Sequence, residues 1–281
     1  MKVVTKIEEI SSIITSLKSK QNTIGLIPTM GALHKGHISL VETSVKENYY
    51  SVVTIFINPT QFDKKEDLEN YPSTIEEDLK LLIDTGCDLV FIPKASEIYK
   101  KSIRSDKFYF EGLENEMEGK HRSNHFDGVG TIVKKLFEIT QPTRAYFGEK
   151  DFQQLQIIKK MTAQEGLAIE IIGCPIYREA NGLAMSSRNA RLTAQERKEA
   201  AFIHKTLQTA ALQFKTKSIS TINNWVKKEF EQHPAFQLEY FEIADEDNLQ
   251  TIRVKENSKK HRAFIAVYAN NIRLIDNIPL Q

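Results

Sequence analysis

Apolar residues recur along this chain with two alternating periods. Ile7, Ile10, Ile14 and Leu17 fall at helical spacing, and Thr5 with Glu8 forms a capping box ahead of them. The apolar run 23–28 predicts a buried strand, residues 31–36 a turn, and 38–46 a second helix. Residues 51–57 (SVVTIFI) are β-branched and uninterrupted, the pattern of a strand covered on both faces. Ser73 or Thr74 predicts the cap of a helix that is acidic in its first turn and stops at Gly86. Strand 88–92, helix 133–139, strand 144–147, helix 152–165 and strand 169–172 continue the series. Strands alternating with helices predict a parallel sheet with helices on both faces, a Rossmann-like doubly wound α/β fold.

The texture changes after Arg191. Thr193 and Glu196 form another capping box at the head of a helix that runs to residue 214. A second helix covers about 220–231, followed by strand-like runs at 237–243, 263–268 and 271–275. Two helices and then three strands predict a smaller C-terminal α+β domain. Residues 1–180 are therefore assigned to the Rossmann-like, ligand-binding domain and 181–281 to a second domain that closes over it.

Composition narrows the partners. The 281 residues include 41% apolar ones, enough for a substantial core, and the formal net charge is +1. No global field favours nucleic acid or a membrane surface, so any anion site must be local. No stretch of 18 apolar residues predicts a membrane span, and residues 1–9 lack the apolar core of a secretion signal. Cys87 and Cys174 form no Cys-x-x-Cys pair, which argues against a thiolate zinc site and for a reduced, cytoplasmic setting.

The candidate chemistry sits in four segments, three of them directly after predicted strands. The first runs from Pro28 to His37 (PTMGALHKGH), between a strand and a helix taken to open at His37. Gly31 allows a tight turn, Gly36 a close backbone approach, and a helix N-terminus favours an anion. His34 and His37 can converge on the same phosphate oxygens and donate hydrogen bonds to a leaving group. A metal site is the other chemistry open to this pair, though no third ligand lies nearby in sequence. The second segment is Met185-Ser186-Ser187-Arg188, whose hydroxyls and guanidinium suit a phosphate clamp. The third is Gly148-Glu149-Lys150-Asp151 with Gln154, offering a cation for phosphate, an acceptor for ribose hydroxyls and an amide for a small polar acid. The fourth, Asn58-Pro59-Thr60-Gln61, puts two amides where a substrate hydroxyl and carboxylate could be oriented.

His-x-Gly-His between strand and helix resembles the nucleotidyltransferase superfamily that includes class I aminoacyl-tRNA synthetases. NPTQF, GEKDFQQL, the HFDGV run at 125–129 and the REANGLA run at 178–184 together resemble the pantothenate synthetase (pantoate–β-alanine ligase) family, closely over about 25–193 and more loosely beyond. The resemblance implies ATP-dependent joining of pantoate and β-alanine through a pantoyl adenylate. It implies an ATP site at Met30, Gly31, His34, Gly36, His37, Gly148, Glu149, Lys150, Asp151, Tyr177 and residues 185–188, with His37 as proton donor. Catalysis would fall to His34, His37, Lys150 and Arg188. Gln61, Gln154 and Asn58 would hold pantoate or β-alanine. Mg²⁺ would ride on the ATP phosphates with help from Glu77 and Asp78, and a homodimer is expected. The family's Arg-Pro-Gly-His-Phe is Arg122-Ser123-Asn124-His125-Phe126 here, so Asn124 must take the left-handed backbone of the glycine. A plain nucleotidyltransferase acting on a small phosphorylated substrate, and a nucleotide-sensing module without chemistry, remain as alternatives. Residues 111–124 and 178–189 are candidates for a cover over the adenylate.

Overall fold

The computed structural model describes residues 1–62, 65–100 and 102–280. Its strands are β1 (Lys2–Val4), β2 (Ile24–Thr29), β3 (Tyr50–Ile55), β4 (Leu89–Phe91), β5 (Arg144–Gly148), β6 (Glu170–Cys174), β7 (Phe236–Asp245), β8 (His261–Ala269) and β9 (Ile272–Leu280). The α-helices are α1 (Ile7–Ser19), α2 (Lys35–Glu47), α3 (Lys65–Glu69), α4 (Ile75–Ile83), α5 (Ala95–Ile98), α6 (Met117–His121), α7 (His125–Thr140), α8 (Phe152–Gln164), α9 (Ala194–Glu199), α10 (Ala201–Phe214) and α11 (Ile219–Glu231).

β1 to β6 form one all-parallel sheet in the order β1-β4-β3-β2-β5-β6. Parallel strands must be covered on both faces, and the apolar residues divide accordingly. Ile10 and Ile14 of α1, Leu136 and Phe137 of α7, and Ile157 and Met161 of α8 pack on one face. Leu40 and Val41 of α2 and Leu82 of α4 pack on the other. The chain runs outward from β2 to β3 and β4, then returns to place β5 on β2's other side. The strand order therefore reverses between β2 and β5, where open α/β sheets leave a crevice at the strands' C-terminal ends.

β7, β8 and β9 form an antiparallel sheet with a register shift between Leu238 and Tyr240. Helices α10 and α11 pack on it through Ile203, Leu207, Ile222 and Val226. Ala244 and Phe264 face the other way and join the core of the parallel sheet. The two sheets thus share an apolar contact as well as the polar links described below.

Several elements differ from the sequence expectation. The Thr5–Glu8 capping box does not form: Lys6 is the N-cap of α1, and the carboxylate of Glu97 accepts from the Ile7 N–H at 3.3 Å instead. Helix α2 opens at Lys35, two residues early, with His34 as its N-cap. The helix predicted over 133–139 begins at His125, a start obscured by two glycines. Gly128 is needed there because a Cβ would stand 2.3 Å from the carbonyl oxygen of Thr60, so α7 lies directly against the Pro59–Gln61 turn. The helix predicted from Thr193 to residue 214 breaks at Ala200, although the Thr193–Glu196 box is present. Asn124 adopts φ 58°, so the left-handed turn survives without glycine.

Candidate active site

The loop after β2 is fixed before any ligand arrives. Thr29 Oγ1 donates to Thr54 O and accepts from Gly31 N–H, while Gly31 and Ala32 take left-handed conformations. Asp78, 1% exposed, accepts from Ala32 N–H at 2.9 Å, Leu33 N–H at 2.7 Å and the Thr74 hydroxyl at 3.1 Å. This overturns the expectation for Asp78 as a metal ligand: its oxygens hold the loop's backbone. Glu77 is exposed beside it on α4 and does not line the cavity.

The two histidine rings stack with centroids 4.0 Å apart. His37 Nδ1 accepts from His34 N–H at 3.3 Å, so a neutral His37 carries its proton on Nε2. Burial, then the charge of Lys150, lowers the pKa of His34 to about 4. Burial, then His34 and Lys150, holds His37 well below the ordinary imidazole value. At neutral pH both rings are therefore uncharged hydrogen-bond donors. His37 meets a ligand as a neutral donor, not as a resident imidazolium.

β5 ends beside this loop. Its register with β2, Gly25 to Arg144 and Leu26 to Ala145, brings Gly148 and the Glu149–Asp151 turn to the same end of the sheet. Lys150 lies largely buried, 3.5 Å from Asp151 Oδ1. Met30, His34, Gly36, His37, Gly148, Lys150, Asp151 and Gln154 share one cavity of about 270 Å³. Tyr177, Met185, Ser186, Ser187 and Arg188 also line it. A second cavity of about 410 Å³ joins it at Lys150, Ser186 and Arg188. Glu149 is the exception in the third segment: its carboxylate turns to Arg262 at 3.6 Å.

Gln61 reaches the cavity with its Nε2 donating to Met30 Sδ and its Oε1 accepting from Asn58. Asn58 is fully buried and fully occupied. Its two amide protons go to Gln61 Oε1 and Gly128 O, and its oxygen accepts from Tyr99 and Thr60 hydroxyls. No hydrogen-bonding capacity remains for a substrate. Asn58 therefore orients Gln61, which corrects its expected role as a ligand contact. Phe126, Val129, Ile132 and Val133 of α7 form an apolar wall beside the amides.

The partners of two further groups were not legible in sequence. His125 Nδ1 donates to Gln61 O at 2.8 Å, which leaves Nε2 to accept from Arg122 at 3.1 Å. Burial, then the Arg122 charge, lowers His125 to about 4. Glu118 accepts two hydrogen bonds from Arg273 and one from Tyr240, all at 2.7 Å. Residues 111–124 are thus no loose cover. Leu113 and Met117 are core residues, and Gln153 ties the segment down through Leu113 O, Glu116 O and Glu118 N–H. The 178–189 segment is likewise fastened, by the Arg178–Asp276 pair and by Glu179 to Arg197 and Asn189.

These shifts give a pH dependence of stability. A histidine held below its unfolded value of 6.5 binds its proton more readily in the unfolded chain. Its contribution is therefore complete above that value and shrinks as pH falls from there toward about 4. For His125 the loss at pH ~5 is about 2 kcal/mol. Urea midpoints should fall from neutral pH to pH ~5 in the native protein, and less steeply in His125→Gln. Equal slopes for the two proteins would show that His125 titrates normally.

A profile of the family described as pantoate–β-alanine ligase matches residues 2–279. A pantothenate synthetase of Christiangramia forsetii is 54% identical over 268 residues, 95% of each chain. The crystal structure of pantothenate synthetase from Thermus thermophilus superposes with a TM-score of 0.91 at 34% identity, covering 99% of both chains. The pantoate–β-alanine ligase of Francisella tularensis, complexed with β-γ ATP and β-alanine, gives 0.83 at 34% identity, covering 99% of this chain and 97% of that one.

Proposed function

The chain belongs to the pantoate–β-alanine ligase family, and from that premise we propose that the cavity between β2 and β5 joins pantoate to β-alanine at the expense of ATP. One observation carries the assignment of the site. The His34–His37 loop and the Lys150 turn meet at the reversal of strand order, with Gln61 and Gln154 in the same cavity.

A carboxylate resists direct attack by an amine because it is negative and oxide is a very poor leaving group. Pantoate, oriented by Gln61 and Gln154 against the α7 wall, attacks the α-phosphorus of ATP, and pyrophosphate departs. His34, His37, Lys150, Ser186, Ser187 and Arg188 stabilise the charge that builds on the leaving group. The amine of β-alanine then attacks the acyl carbon, AMP leaves with the bond electrons, and the ammonium loses its proton. No side chain becomes a covalent nucleophile. Orientation alone can supply roughly 7–11 kcal/mol of such a barrier.

Mg²⁺ enters with ATP and neutralises part of the phosphate charge. Among the described residues no group of three or more His, Cys, Asp or Glu side chains is placed to hold an ion; a bound Mg²⁺ would be carried by the ATP phosphates. The family resemblance supports a homodimer, and the buried thiols of Cys87 and Cys174 suit the cytoplasm. No described helix is long and apolar enough to cross a membrane.

A nucleotidyltransferase acting on a phosphorylated substrate is disfavoured by the match of residues 2–279 to the pantoate–β-alanine ligase family. The test is isotope exchange between pyrophosphate and ATP. Exchange should require pantoate, and β-alanine alone should not support it. Exchange with no acid present would refute the proposed order of steps.

A further inference from the structure

We propose that Asn277, on β9 of the C-terminal sheet, is a positioning residue that fixes the backbone of Lys150 for adenylate formation. The proposal rests on the role given to Lys150 above and extends it to the other domain.

The Asn277 side chain is 2% exposed. Its Nδ2 donates one proton to Glu149 O and the other to Lys150 O, each at 2.9 Å. Its Oδ1 accepts from Arg262 at 2.6 Å. A guanidinium only donates and a peptide carbonyl only accepts, so the amide has a single orientation; a flip would lose all three bonds. Arg262 is itself held, lying 3.9 Å over the Phe152 ring with its Nε donating to Glu246.

The two carbonyls flank one Cα. The Glu149 peptide precedes Lys150 and the Lys150 peptide follows it. Peptide units are planar, so holding both planes fixes both backbone dihedrals of Lys150. That matters in a three-residue 3₁₀ turn, whose own hydrogen bonding is weak. The Lys150 side chain is then aimed from a fixed base, at the place where its charge acts on His34 and His37.

Asn277→Asp keeps the partner for Arg262 but sets a carboxylate oxygen against two carbonyl oxygens. Single-turnover adenylation should fall roughly 30-fold, because a catalytic group displaced by about 1 Å costs up to ~100-fold. Aminolysis of preformed pantoyl adenylate should be little changed. A double-mutant cycle separates positioning from general damage: in a Lys150→Ala background, Asn277→Asp should cost less than about 3-fold more. The same factor lost in both backgrounds, or adenylation by Asn277→Asp within about 3-fold of native, would overturn the proposal alone. A harmless Lys150→Ala would overturn the role of Lys150 and this proposal with it. If Asn277→Asp does not fold, Asn277→Ala, which lets water reach the carbonyls, replaces it in the same cycle with an expected loss of about 10-fold.

Discussion

Replacing Lys150 by alanine lowers single-turnover adenylate formation at least ~100-fold while ATP binding changes much less. The expectation follows from the charge states in the cavity. His34 and His37 are both neutral at physiological pH, so they contribute donors but no formal charge. Positive charge in the cavity lining comes from Lys150, Arg122 and Arg188. Pyrophosphate gains charge as it departs, and a cation fixed at that position acts more strongly on the transition state than on bound ATP. Removing one such preorganised group costs about 2.7–4 kcal/mol in comparable sites. Rapid-quench measurement with ATP and pantoate reads this directly. A nearly unchanged rate would make Lys150 an ordinary residue of the turn.

Glu118→Ala destabilises the fold by about 1.5–3 kcal/mol, because Arg273 loses its bidentate partner and keeps Glu239, while the Tyr240 hydroxyl loses its acceptor. Burial alone would raise the Glu118 pKa. The hydrogen bonds and charge of Arg273, with Tyr240 and Arg122, outweigh it and bring the carboxyl to about 2. The pair's stabilisation is therefore complete above the ordinary carboxyl value and is lost only as pH falls toward about 2. Urea unfolding at neutral pH measures the deficit. A deficit below about 1 kcal/mol would mean that water reaches the pair.

Sequence reasoning found what local pattern encodes. The run at 51–57 became β3 and its flank because β-branched residues covered on both faces leave no other choice. The four motif segments were legible because each follows a strand of the parallel sheet or carries an unusual run of polar types. What failed was long-range. The cap of α1 comes from Glu97, 90 residues beyond Ile7, so the nearer Thr5–Glu8 pattern misled. Asp78 looked like a free acid in an acidic helix turn, yet its partners are amides 45 and 46 residues away. The strand predicted over 271–275 runs to Leu280, with Asp276 and Asn277 buried against partners in other elements. Glu118, Arg273 and Tyr240 gave no signal at all, since nothing in their own neighbourhoods marks a partner 122 or 155 residues distant. Nothing in the residue types explains the break at Ala200.

β9 follows every other element in chain order, yet Arg273, Asp276 and Asn277 on it brace the α6 segment, the Arg178 loop and the Lys150 turn. Synthesis runs from the N-terminus, so the parallel sheet and all four motif segments leave the ribosome before these braces exist. A nascent or clipped chain lacking β9 carries every recognisable signature of the activity but not the contacts that aim it.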